Sequence, residues 1–166
     1  MKKFELTSDF KMYLGMKLFR IKALVDFGNV KAGDLGGYIE KEKNLSHNGN
    51  AWVYGDAWVY GDGQVYGNAR VCGNARVCGN AWVSGNADIL QITGLGTEHR
   101  PTTVFRAEDG IKVACGCFLG DLGQFRERVK NTRTGKVQEE YLKFAELVEI
   151  YFGKEEEKQD GRDEIQ

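Results

Sequence analysis

From Gly49 to Leu90 the chain reads GNAWVY-GDAWVY-GDGQVY-GNARVC-GNARVC-GNAWVS-GNADIL, seven hexads in phase with no insertion. Gly, then Asn or Asp, then a small residue, then a variable one, then Val or Ile recur in register. A period this strict requires a backbone that returns to the same geometry every six residues. Within a hexad such as Asn50–Tyr54, side chains alternate across a short strand, so Ala51 and Val53 share one face while Trp52 and Tyr54 share the other. The corner falls on Gly-Asn or Gly-Asp, because Gly accepts positive φ and Asn or Asp bonds to nearby backbone. Three strands and their corners make a triangular coil of eighteen residues. Stacked coils pair strand on strand in parallel, which satisfies the backbone.

The eighteen-residue coil predicts which positions stack. Trp52 is expected against Arg70 and then Asp88, Trp58 against Arg76, and Gln64 against Trp82. Tyr54 is expected against Cys72 and Leu90, and Tyr60 against Cys78. All of these face outward in this scheme. An outer surface so rich in aromatic residues marks either a binding face or a face covered by the flanking segments. The candidate binding residues are Trp52, Tyr54, Trp58, Tyr60, Arg70, Arg76 and Trp82.

The small-x-aliphatic rule reaches back to Gly37-Tyr38-Ile39, and Leu45 follows six residues later, so the repeat region is placed at 36–92, with nine hexad positions in three coils. Two extra residues between Leu45 and Val53 place a bulge at Ser46-His47-Asn48. Residues 1–35, with the alternating run Lys17–Val25 and the turn Asp26-Phe27-Gly28-Asn29, form an N-terminal β cap over the open strand edges.

Beyond the repeat, residues 93–152 form a separate small α+β module. Thr102–Arg106 and Ile111–Phe118 flank Glu108-Asp109-Gly110 as a hairpin. Asp121 with Gln124 three residues on reads as a capping box. Leu122, Phe125 and Val129 mark one helix, and Tyr141, Phe144, Ala145, Val148 and Tyr151 a second. Residues 153–166, GKEEEKQDGRDEIQ, hold too little apolar content to pack and are expected to be a mobile acidic tail.

The repeat, an aliphatic residue followed by a small one four positions on (Val53 then Ala57, Val59 then Gly63), resembles the hexapeptide-repeat proteins. That resemblance implies a left-handed parallel β-helix. With the flanking segments the fold class is mainly β: a left-handed parallel β-helix of about three coils, an N-terminal β cap and a small C-terminal α+β module. The motifs DFGNVKAGDLGGYIEKEKNLSH, the GNAxVYG repeats and VFRAEDGIKVACGCFLGDL together resemble uncharacterised hexapeptide-repeat proteins of bacteriophages and prophages. This resemblance implies phage origin and action in the cytoplasm of a bacterial host, and it carries over no catalytic residue.

A net charge of −1 over 166 residues argues against a dedicated nucleic-acid or membrane binder. The basic run Arg126–Lys136 reads as a solvated helix face and loop, and no stretch approaches a membrane span. The four cysteines form no framework. Cys72 and Cys78 point from different faces, and Cys115 and Cys117 are spaced poorly for a disulfide on one strand face, so free thiols in a reducing compartment are expected. No metal site and no cofactor are indicated.

Three functions follow from these residues. The first is a non-catalytic binding or scaffold protein that engages a host protein, for example to block a bacterial defence system. The second is sequestration of a small nucleotide, with Trp52, Trp58 or Trp82 stacking a base and Arg70 or Arg76 meeting phosphate. The third is a hexapeptide-repeat acyltransferase, for which His47 is the candidate general base and His99 the other histidine. The aromatic faces lead to the expectation of a homo-oligomer.

Overall fold

The computed structural model describes residues 1–153. The expected acidic tail therefore lies outside the described residues, apart from Gly153. The chain opens with strands β1 (Phe4–Tyr13) and β2 (Met16–Ala23), an antiparallel hairpin closed by Leu14 and Gly15, both at positive φ. Strand β3 (Leu35–Ile39) pairs antiparallel with β2.

Six two-residue strands follow, one per hexad: β4 (Trp52–Val53), β5 (Trp58–Val59), β6 (Gln64–Val65), β7 (Arg70–Val71), β8 (Arg76–Val77) and β9 (Trp82–Val83). They pair in parallel at a spacing of three hexads, joining Trp52 to Arg70, Trp58 to Arg76 and Gln64 to Trp82. The first rungs, Tyr38 with Trp58 and Leu45 with Val65, span the two-residue excess. Inside lie Ala51, Ala57, Ala69, Ala75 and Ala81 with Val53, Val59, Val65, Val71, Val77 and Val83, all at most 2% exposed. Small and β-branched residues fill this narrow core without bending the short strands. Successive strands are joined by glycines with φ between 58° and 64°.

The expected left-handed parallel β-helix of about three coils is not what forms. The strands belong to separate small sheets: a mixed five-stranded sheet in the order β1-β2-β3-β5-β8, two parallel pairs, β4-β7 and β6-β9, and a four-stranded antiparallel sheet. Only two residues of each hexad pair as strand, since the Gly-Asn or Gly-Asp corner takes most of the rest. Both ends of the repeat also leave the pattern. At the start, Glu42–Asn44 is a turn of 3-10 helix. At the finish, Asn86–Asp88 is another, and Gly85 has an extended φ of −158°. Asp88 does not continue the stack over Trp52 and Arg70. Its carboxylate accepts from Ser84 N (2.9 Å), Ser84 Oγ (2.9 Å) and Gly85 N (3.2 Å), and pairs with Arg106 Nε at 2.9 Å. An aspartate that can turn back on three local donors forms a stop, as the competition between side-chain and ladder bonding predicts.

From Ile89 the chain enters the antiparallel sheet β10 (Ile89–Leu95), β11 (Arg100–Ala107), β12 (Gly110–Cys115) and β13 (Phe118–Gly120). Leu90, expected over Tyr54, packs half-buried instead against a separate core that includes Val104, Val113 and Phe125. Cys117 sits in the turn between β12 and β13 and not on one strand face with Cys115. Helix α1 (Leu122–Thr132) begins at the capping box, with Asp121 Oδ1 accepting from Gln124 N at 2.8 Å and Gln124 Oε1 accepting from Asp121 N at 2.9 Å. Helix α2 (Gly135–Phe152) buries Tyr141, Phe144, Ala145, Val148 and Phe152 against Phe125, Val129, Val104 and Val113.

The ladders' open ends are closed by side chains as well as strands. At the near end β2 takes the free edge of β3, Lys3 Nζ donates to Ala51 O (2.7 Å) and Gly49 O (3.3 Å), and Asn44 Nδ2 donates to Gly63 O (2.8 Å) and Gly61 O (3.2 Å). At the far end Thr103 Oγ1 and Asn86 Oδ1 accept from Arg76 N and Arg70 N, both at 3.0 Å. Each bond satisfies a backbone group that the last rung would otherwise leave orphaned.

Candidate functional site

The three parallel pairings place the candidate residues in three separate groups. Trp52 and Arg70 lie on β4-β7, Trp58 and Arg76 on the mixed sheet, and Gln64 and Trp82 on β6-β9. They do not form one surface.

Trp52 is not available as a binding residue. It is 1% exposed, with Phe27 edge-on at 5.3 Å and Phe4 edge-on at 6.4 Å. The N-terminal segment supplies this cover, from residues with no periodic relation to the repeat. Its partner Arg70 is exposed. Tyr54 packs half-buried against the core.

Trp58 is half-buried. The Arg76 guanidinium lies over its ring at 4.4 Å, and Tyr13 packs on it at 5.0 Å. Tyr13 also meets Tyr60 at 5.6 Å. Burial holds the Tyr60 hydroxyl far above the usual phenol range, with the neighbouring Cys78 adding to the effect, and burial raises the Cys78 thiol too. Both groups stay protonated, which suits packing and gives neither a nucleophile nor a base.

Trp82 is 50% exposed, and Tyr66 leans against it at a centroid distance of 6.1 Å. This is the aromatic face that the rest of the described chain leaves uncovered. Tyr66, without Trp82, also lines an open groove of about 920 Å³, together with Leu45, His47, Gln64 and Met1 among others.

His47 borders that groove, but its ring is a structural part. Nδ1 accepts the Lys3 backbone N–H at 3.0 Å, Nε2 faces Glu42 Oε1 at 3.3 Å, and the ring stacks on Phe4 at 4.2 Å. A lone pair committed to a backbone donor fixes the tautomer with the proton on Nε2, directed at a carboxylate. Nothing in that arrangement presents a basic nitrogen to a substrate hydroxyl. His99 is held by Nδ1 against Gly94 O at 2.8 Å.

Lys3 is the residue that periodicity could not reveal. It is 3% exposed, its ammonium lies 4.6 Å from the Phe27 ring centre, and burial lowers its pKa to about 8. Among the described residues, no group of three or more His, Cys, Asp or Glu side chains is placed to hold a metal ion, and no helix is long and apolar enough to cross a membrane.

Residues 64–79 and 69–85, two short overlapping segments of the repeat, match the family described as the YdcK β-solenoid repeat, so this stretch is similar to a β-solenoid repeat. No curated protein matches the chain.

Proposed function

We propose that this is a non-catalytic binding or scaffold protein, encoded by a phage and acting inside the bacterial host, that engages a host protein through the face carrying Tyr66 and Trp82. The observation that carries the reading is the half-exposed Trp82 leaning on Tyr66, which itself lines an open groove, on the one pairing whose aromatic residues no other element covers among the described residues. Withdrawing the exposed half of an indole, roughly 100 Å², contributes ~2–3 kcal/mol toward association. Aromatic anchors of this kind are the usual centres of protein interfaces. The groove's breadth suits a protein surface better than a small molecule, which needs a site that encloses most of it.

Nucleotide sequestration has less support. Trp52 is buried, and Arg76 and Tyr13 already occupy the indole of Trp58, so a base would have to displace one of them. Acyl transfer lacks a free base at His47. The assignment to a phage rests on the sequence resemblance.

Native mass spectrometry of the protein recovered from infected host cells tests the proposal. A host protein bound to the wild type and lost from Trp82→Ala is expected. Equal binding by the variant, or recovery of a small nucleotide in place of a protein, would overturn it.

A further inference from the structure

A second site lies far along the chain, between α1, the β12–β13 turn and the start of α2. A small cavity of about 70 Å³ is lined there by Arg100, Arg128, Arg133, Thr132, Tyr141 and Cys117, among others. Three arginines thus line one hollow, and arginine does not give up its proton in a protein. Arg100 pairs with Glu98, whereas Arg128 and Arg133 have no carboxylate partner among the described residues. Arg128 reaches over the Phe118 ring at 5.9 Å.

Helix capping does not account for the arginines. At the end of α1, Thr132 Oγ1 donates to Arg128 O at 2.6 Å, the Arg133 N–H donates to Val129 O at 2.9 Å, and Gln138 Nε2 donates to Arg133 O at 2.8 Å. The carbonyls that would attract a cation there already have donors. Backbone geometry also leaves room for the cluster. A Cβ on Gly116, in the turn beside Cys115 and Cys117, would stand 2.6 Å from Arg100 Nη1, so that guanidinium lies against the bare backbone of the turn. The Tyr141 hydroxyl, pushed up to about 12 chiefly by burial, stays protonated at neutral pH and donates to Leu95 O at 3.4 Å.

We infer that this cavity is an anion site for a single phosphate group, either free or at the end of a small monoester. At about 70 Å³ the hollow has room for one tetrahedral oxyanion beside the arginine side chains. The lining carries three fixed positive charges, two of them without a carboxylate partner among the described residues, and a doubly charged oxyanion would accept from such forked donors. The site is independent of the Trp82 face.

Isothermal titration of the full chain, at constant ionic strength, uses inorganic phosphate, glycerol 3-phosphate and acetate as probes. Saturable binding of one phosphate per chain is expected, weakened about tenfold or more in Arg133→Gln and in the Arg128→Gln, Arg133→Gln pair. Tighter binding of inorganic phosphate assigns the free ion, and equal or tighter binding of glycerol 3-phosphate assigns a monoester. No saturable phosphate binding by the wild type, undiminished binding by the folded double variant, or acetate bound as well as phosphate would each overturn the inference. Should the variants fail to fold, alkylation of Cys117 in the wild type decides: phosphate slows it if the site is real, and an unchanged rate overturns it.

Discussion

Trp52 and Trp82 hold the same position in their hexads, yet Trp52 is 1% exposed beneath Phe4 and Phe27 while Trp82 is 50% exposed. Truncating each should therefore have opposite effects. Trp52→Ala opens a cavity under the N-terminal segment and should cost about 3–5 kcal/mol of stability. Trp82→Ala should change stability by less than about 1 kcal/mol and weaken binding of the host partner. Urea unfolding of the two variants, with recovery of the host partner by the Trp82 variant, checks this, and similar denaturation midpoints for both would refute it.

His47→Ala removes the acceptor of the Lys3 N–H and the ring stacked on Phe4. A loss of about 1–2 kcal/mol is expected, with binding of the host partner retained. A binding loss greater than tenfold in a folded, normally assembled variant would instead give His47 a functional role.

Lys3 predicts a dependence on alkaline pH. Its folded pKa of about 8 lies below the ordinary 10.5, so between those values the unfolded chain holds the proton that the folded chain has released. Stability attributable to Lys3 should rise across that window, by ~1–3 kcal/mol, and be absent below pH 8. The raised values of Tyr60 and Cys78 act in the opposite sense, because the unfolded chain loses those protons first. The wild-type stability curve minus that of Lys3→Met isolates the lysine. A flat difference from pH 7.5 to 10 would contradict the assignment.

Val65 and Val71 are at most 1% exposed and face a core of alanine and valine. Either one replaced by Asp should abolish cooperative unfolding, since a buried carboxylate there meets no polar partner. A thermal transition like that of the wild type would show that these residues do not face inward.

Two glycines at equal hexad positions give a sharper test of where the repeat geometry ends. Gly67 has φ 63°, and a Cβ there would meet Ser84 O at 2.4 Å; Gly85 is extended, and a Cβ there would meet nothing within 4 Å. Gly67→Ala should cost ~2 kcal/mol or more, and Gly85→Ala should be neutral or slightly stabilising. Melting temperatures of the pair provide the measurement.

The hexad phase alone was enough to pair Trp52 with Arg70, Trp58 with Arg76 and Gln64 with Trp82. The capping box at Asp121 and both helices were equally legible, because caps and helical spacing are local signals. The three-coil β-helix failed for a physical reason. Periodicity specifies that the backbone repeats, but not how many residues of each repeat pair or where side chains stop it, and Asp88 stops it through Ser84, Gly85 and Arg106. The cover over Trp52 could not be read either, since Phe4 and Phe27 reach it from outside the pattern. The arginine cavity was hidden for the same reason: Arg100 comes from a strand, Arg128 from a helix and Arg133 from a loop.

The side chains that terminate the ladders, Lys3 and Asn44 at one end and Thr103 and Asn86 at the other, lie outside the internal hexads they close. The interior is therefore free to vary in length without disturbing its ends. An in-phase duplication of eighteen residues would add one rung to each ladder and move the helical module ~4.8 Å away from the N-terminal hairpin. The repeat thus acts as a ruler, and slippage in the gene can change the distance between the two terminal modules in fixed increments while each keeps its own fold.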